Sequence, residues 1–256
     1  MKLTILLGAL AALALAACAG APSRRAESPT VGRLYHYLRT NADGSLPEDI
    51  YVYRASSTLV EVAKIVSRCA NAAYVTAELD LERRQPRALV GGRIARDATQ
   101  DTFAWLSYDA GQLHARVPSL GVDARTGVTH EPWIIYDFDL SELTALHAGA
   151  PAPRADFAFG VALIWPDGSS DNPLRDLGVA NAAYEGEADG LARYRVSGAL
   201  NGAISLDAHD GHVVEASFAE PNHLEYQNFR LRLQSVEDNA AAAWREIRTA
   251  HWRDCP

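Results

Sequence analysis

The chain has 256 residues, with 24 basic and 32 acidic side chains and a formal charge of −8. That acidic balance argues against nucleic acid as a partner, because phosphate binding needs a basic face. The composition is that of a globular protein, which excludes a disordered or low-complexity chain.

The chain opens MKLTILLGALAALALAAC. Lys2 is followed by an unbroken run of apolar and small residues up to Ala17, too short for the roughly 20 residues that span a bilayer. A positive start and a short apolar core form the pattern of a signal peptide. Leu15-Ala16-Ala17-Cys18 resembles the lipobox of bacterial lipoproteins. The resemblance implies removal of residues 1–17 and acylation of Cys18. It also implies a membrane partner reached through the lipid and, with Ala19 and Gly20 following, delivery to the periplasmic face of the outer membrane. More than one acyl chain is needed for stable anchoring, and the modified cysteine carries them. An ordinary signal peptide followed by an incidental cysteine is the alternative. Residues 18–30, with APSRRAESPT at their end, read as a flexible tether, and residues 31–256 as a single β-rich domain.

Hairpin signals then recur. Asp-Gly stands at 43–44, 167–168, 189–190 and 210–211, and Gly91-Gly92 suggests a bulge. Alternating segments flank the first turn at Leu34–Leu38 and Ile50–Tyr53. Residues 58–69 suit a strand better than a helix. Residues 118–132 carry little periodicity and read as a loop. A short helix is expected over Ser141–His147 with Asp139 as its cap. Phe157–Trp165 is a near-continuous apolar run, as in a strand buried on both faces. Tyr226–Val236 alternates Phe229, Leu231 and Leu233 with Arg230, Arg232 and Gln234. The clearest helix is Glu237–His251, with Ala240, Ala243, Trp244 and Ile247 at helical spacing. The expected fold is mainly β: a large curved antiparallel sheet of about ten strands, half-barrel or sandwich-like, with a C-terminal helix.

With Cys18 taken up by the lipid, Cys69 and Cys255 remain as an even pair, read as a disulfide in an oxidising compartment, with two separate free thiols as the alternative. Residues 70–98 match residues 180–208 at 11 of 29 positions without a gap, from Ala70-Asn71-Ala72-Ala73-Tyr74 against Ala180-Asn181-Ala182-Ala183-Tyr184 onward. Two similar meander halves would explain this, and so would chance in an alanine-rich chain. The strand order over Leu191–Val236, with its turn at Asp207–Gly211 and loop at Pro221, resembles the lipoprotein-carrier (LolA/LolB-type) fold. The resemblance implies a sheet folded round an apolar cavity, and it carries no functional residues.

No sequence motif assigns a reaction. Asp207, His209, Asp210 and His212 have metal-ligand chemistry, but Asp210-Gly211 is itself a turn and hairpin tips are polar. His130-Glu131-Pro132 lacks the second histidine of a zinc helix. Ser170-Asp171-Asn172 has no companion SxxK or KTG. No phosphate-cradling glycine loop is present, and no cofactor or metal is expected. Trp105, Trp133, Tyr136 and Trp165 are candidates for an apolar ligand surface, against plain core packing. Three functions follow: a lipid-anchored, non-catalytic binding or envelope-assembly module, with a lipid or an envelope protein as partner; a periplasmic hydrolase with a site built from distant residues; and a purely structural envelope protein.

Overall fold

The computed structural model describes residues 30–168 and 172–256. Cys18, the leader and most of the tether lie outside the described residues, as do Ser170 and Asp171. The first wing of the sheet consists of β1 (Leu34–Thr40), β2 (Glu48–Arg54), β3 (Leu59–Ile65), β4 (Ala73–Asp80), β5 (Gln85–Ile94), β6 (Gln100–Asp109), β7 (Gln112–Val117) and β8 (Val122–Gly127). The second consists of β9 (Trp133–Ile135), β10 (Phe157–Ile164), β11 (Leu174–Ala188), β12 (Leu191–Gly198), β13 (Gly202–Asp207), β14 (Val213–Phe218) and β15 (Phe229–Glu237). Helix α1 (Ser141–His147) lies between β9 and β10, and α2 (Ala241–His251) follows β15.

All fifteen strands of the described residues belong to one sheet, ordered β8 through β1 and then β15 through β9. Each strand thus pairs with its chain neighbour, and the last long strand returns to pair with the first. Every pairing is antiparallel except β9 with β10. The sheet does not close, but its edges approach: Asn172 Nδ2 donates to the Arg125 carbonyl at 2.9 Å, and the Thr129 backbone N–H to Asp176 Oδ2 at 2.9 Å. The region read as a loop at 118–132 is partly strand, since β8 completes a hairpin with β7.

Of the four Asp-Gly steps, 189–190 is a tight two-residue hairpin, while 43–44, 167–168 and 210–211 lie in longer connections. Asp189 and Gly190 both have positive φ, 56° and 75°, as a tight two-residue hairpin requires. The β5–β6 register shifts between Gly91 and Gly92, a bulge. The gap-free internal match pairs β5 with the end of β12, the turn after it and the start of β13, so the two segments do not occupy equivalent elements.

One face of the sheet buries Tyr35, Tyr37, Ile50, Val52, Val60 and Val62 on its first three strands. The segment Trp133–His147 is threaded against this face. Its apolar run passes through β9 and a 3-10 turn at Tyr136–Phe138, and α1 then runs back along the interior. Tyr37 tethers α1, with its hydroxyl 3.0 Å from Thr144 Oγ1 and donating to the Val213 carbonyl at 2.8 Å. At the far end of α1, Gly211 (φ 77°) packs so closely that a Cβ there would sit 2.5 Å from the carbonyl oxygens of His147 and Ala150. Asp139 does not cap α1. The residue before the helix is Leu140 at φ 58°, and no side chain caps it. Asp139 is drawn instead to Lys64, because a buried cation outweighs one backbone donor.

The other face of β2–β4 is covered by α2. Trp244 stacks on Tyr53 with ring centroids 5.7 Å apart and meets Tyr74 edge-on at 5.8 Å. Glu61 Oε2 accepts from both Trp244 Nε1 (2.5 Å) and the Tyr74 hydroxyl (2.8 Å). The Cys69–Cys255 disulfide is formed, with Cα atoms 5.4 Å apart, and fixes the end of this covering layer to the β3–β4 connection. No helix among the described residues is long and apolar enough to cross a membrane.

Candidate functional site

Two features stand out inside the sheet, one at each end of α1. The first is a buried charge cluster beside its start. Strand alternation turns Arg39, Glu48 and Lys64 to the inner face, on the same side as Tyr37, Ile50 and Val62. The 3-10 turn delivers Asp137 and Asp139 to them. Lys64 Nζ lies 2.6 Å from Asp139 Oδ2 and donates to the Asp137 carbonyl. Arg39 Nη2 meets Glu48 Oε2 at 2.5 Å, and Arg39 Nη1 lies 3.5 Å from Asp139 Oδ1. Asn222 bridges the set, accepting from Arg39 Nη1 at 2.9 Å and donating to Asp139 Oδ1 at 2.7 Å. Tyr226 lies flat under the Arg39 guanidinium, 3.8 Å from its ring centroid.

Burial sets the protonation of this cluster. For Asp139 burial alone raises the pKa, but Lys64 and Arg39 outweigh it and hold the group at about 2. Burial pushes Asp137 up to about 6, tempered by Lys64. Glu142, on the first turn of α1, is pushed up by burial to about 8, against a hydrogen bond from the Ile135 N–H at 3.0 Å. Its second carboxyl oxygen has no partner among the described residues. Glu142 is therefore a neutral acid at pH 7. His223, 3.5 Å from Lys64 Nζ, is pushed down by burial and by Lys64 to about 3, so it is neutral. Perturbed carboxylates gathered in this way often mark acid–base catalysis. Here Asp139 and Glu142 have 1 % and 0 % of their surface exposed, so a substrate has no contact with them. The cluster holds the 3-10 turn and the start of α1 in place.

The second feature is a cleft of about 230 Å³ beside the end of α1. Ile134, Leu143, Leu146, Phe157 and Phe159 form its apolar walls, and Arg83, Arg84 and His147 stand around it. A shallower depression of about 290 Å³ lies on the other side of Phe157, over Asp156 and Asn181–Ala183. Phe157 is its only large apolar residue, so it offers little to hold a ligand.

The four aromatics expected to line a ligand surface are not brought together. Trp133 and Tyr136 are fully buried in the core, where Tyr136 donates to the Glu220 carbonyl at 2.7 Å. Trp165 is half-buried, with Arg175 over its ring at 5.9 Å. Trp105 is 43 % exposed, and on β6 it alternates with the inward-facing Leu106 and Tyr108. Of the polar hairpin residues, Asp207 Oδ1 accepts the backbone N–H groups of His209 and Asp210, while Asp210 pairs with Arg33 and with His212.

Sequence reasoning missed Lys64 and the Asp137–Glu142 carboxylates. A signal for both existed. Lys64 is the only lysine after Lys2, set in the apolar strand LVEVAKI, and three carboxylates interrupt the apolar run WIIYDFDLSELTAL. Charges in stretches that must be buried imply partners. No family model and no curated protein matches the chain.

Proposed function

We propose that the chain is a membrane-anchored, non-catalytic binding module of the cell envelope, holding an apolar ligand in the cleft beside α1. It is tethered by an acylated Cys18 at the periplasmic face of the outer membrane. The observation that carries the binding reading is the cleft itself, a concave apolar site built from β9, α1 and β10 against the β4–β5 hairpin. The non-catalytic reading is supported by the sealing of the perturbed carboxylates. The lipobox-like LAAC and the tether after it support the anchor.

Mass spectrometry of membrane-extracted protein tests the anchor: the chain should begin at residue 18 and carry acyl chains, and an unmodified Cys18 or a retained leader contradicts it. Titration with the neutral apolar dye N-phenyl-1-naphthylamine tests the site. Leu146→Trp fills the cleft and should weaken binding at least about tenfold, equivalent to about 1.4 kcal/mol. Unchanged dye binding by a folded Leu146→Trp protein rejects the cleft as the ligand site.

A further inference from the structure

The rim of the α1 cleft is basic. Arg83 and Arg84 sit at the tip of the β4–β5 hairpin and both line the opening. Asp80 Oδ1 fixes that tip by accepting the backbone N–H groups of Glu82 and Arg83, each at 3.0 Å. Arg84 is held at φ 58°, a left-handed conformation that non-glycine residues seldom adopt. Its Nη2 reaches to 3.5 Å from His147 Nε2, at the end of α1. Glu82 precedes the two arginines but does not line the cleft.

Arg83 and Arg84 line the cleft, and several other surface arginines are held by carboxylates. Arg87 pairs with Glu78, Arg154 with Glu187, and Arg195 with Glu185. Among the described residues, neither Arg83 nor Arg84 has a carboxylate partner, although acidic groups outnumber basic ones by 32 to 24. Two uncompensated forks thus stand beside an apolar slot. Guanidinium groups match the oxygens of carboxylates and phosphates, often in bidentate fashion. Burial, with a contribution from Arg84, pushes His147 down to about 4, so a neutral imidazole completes the rim.

We propose that this cleft takes a single-chain amphiphile with an anionic head, a carboxylate or a phosphate ester. The tail lies along Ile134, Leu143, Leu146 and Phe159, and Arg83 and Arg84 hold the head. The inference rests on the binding reading above and adds the class of ligand. At about 230 Å³ the cleft is smaller than the roughly 300–1,000 Å³ of sites for drug-sized ligands, which limits the occupant to one short chain.

Calorimetric titration of the purified full chain with decanoate, decyl phosphate, decanol and acetate tests the assignment. Decanoate and decyl phosphate should bind at least about tenfold tighter than decanol, and acetate should bind far more weakly than any of the three. The double variant Arg83→Gln/Arg84→Gln alters exposed residues. It should bring both tailed anions to the affinity of decanol and leave decanol unchanged. Equal affinity for decanoate and decanol, or anion binding that the double variant retains, overturns the anionic class while leaving the apolar site standing. Acetate matching decanoate overturns the amphiphile, since the tail would then contribute nothing. Binding of none of the tailed compounds overturns this proposal and the binding reading together.

Discussion

Asp139→Asn is expected to destabilise the protein by about 3 kcal/mol at pH 7, because it leaves a buried charge without its counterpart. Asparagine keeps the shape of the side chain and an oxygen for the Asn222 amide. What is lost is the negative charge 2.6 Å from Lys64 and 3.5 Å from Arg39. Arg39 still has Glu48, whereas Lys64 loses its closest carboxylate. The cost should therefore fall mainly on Lys64. Adding Lys64→Met removes the orphaned cation, and the double variant should recover more than half of the loss. The two single variants and the double form a cycle that isolates the pair from its surroundings. Urea unfolding midpoints read each corner. A loss below about 1 kcal/mol for Asp139→Asn would show that the cluster is not what holds the 3-10 turn against β1–β3. The pH dependence has a defined sign. Asp139 ionises at about 2 when folded and at its ordinary 3.8 when unfolded, so its contribution is complete above 3.8 and is lost as pH falls through 2.

Glu142→Gln should have the opposite sign and a different pH window. Glutamine can still accept the Ile135 N–H through its carbonyl oxygen, and it carries no proton to lose. In the unaltered protein the unfolded chain loses the Glu142 proton near its ordinary 4.5, while the folded chain keeps it until about 8. Between those values the folded state binds more protons. The stability tied to this group is therefore full below 4.5 and drains away as pH rises through 8. The variant should match the unaltered protein near pH 4.5 and exceed it at pH 8.5 by an amount on the order of 5 kcal/mol. Asp137, which titrates at about 6, contributes a smaller loss of the same sign in both proteins. His223 and His147 act in reverse. They titrate at about 3 and 4 when folded and at 6.5 when unfolded, so they weaken the fold as pH falls below 6.5. The difference in Tm between variant and unaltered protein, followed from pH 4.5 to 8.5, cancels these shared terms. A flat difference would mean that Glu142 is already ionised and solvated in the folded state.

Much of the architecture was legible because its causes are local. Alternation in Leu34–Leu38 and Tyr226–Val236 announced half-buried strands, and Asp189-Gly190 announced a hairpin, since a tight turn depends on two adjacent residues. The amphipathic pattern before His251 announced α2, although the helix begins at Ala241, after the exposed end of β15. Cys69 and Cys255 were readable as a pair because, with Cys18 read as the lipidated residue, two cysteines remain and leave only one bridge. Strand number was underestimated at about ten. The long meander has short members: β8 alternates, but over only six residues, and the three residues of β9, Trp133–Ile135, are all buried and show no alternation.

By itself, the sequence determined a β-rich body with its C-terminal helix and its turns, and it offered Cys69 and Cys255 as a candidate bridge. Only the tertiary structure decided that Trp133 and Tyr136 are buried in the core while Ile134, Leu143 and Leu146 of the same segment wall the cleft. It alone decided that Lys64 meets Asp137 and Asp139, and that Arg39 meets Asn222 across 183 positions of chain. It alone brought Arg84 to within 3.5 Å of His147. The physical reason is range. Backbone conformation follows from neighbours in the chain, whereas the partner of a buried charge and the wall of a cleft are set by how the sheet curls, and that depends on pairings between residues far apart in sequence.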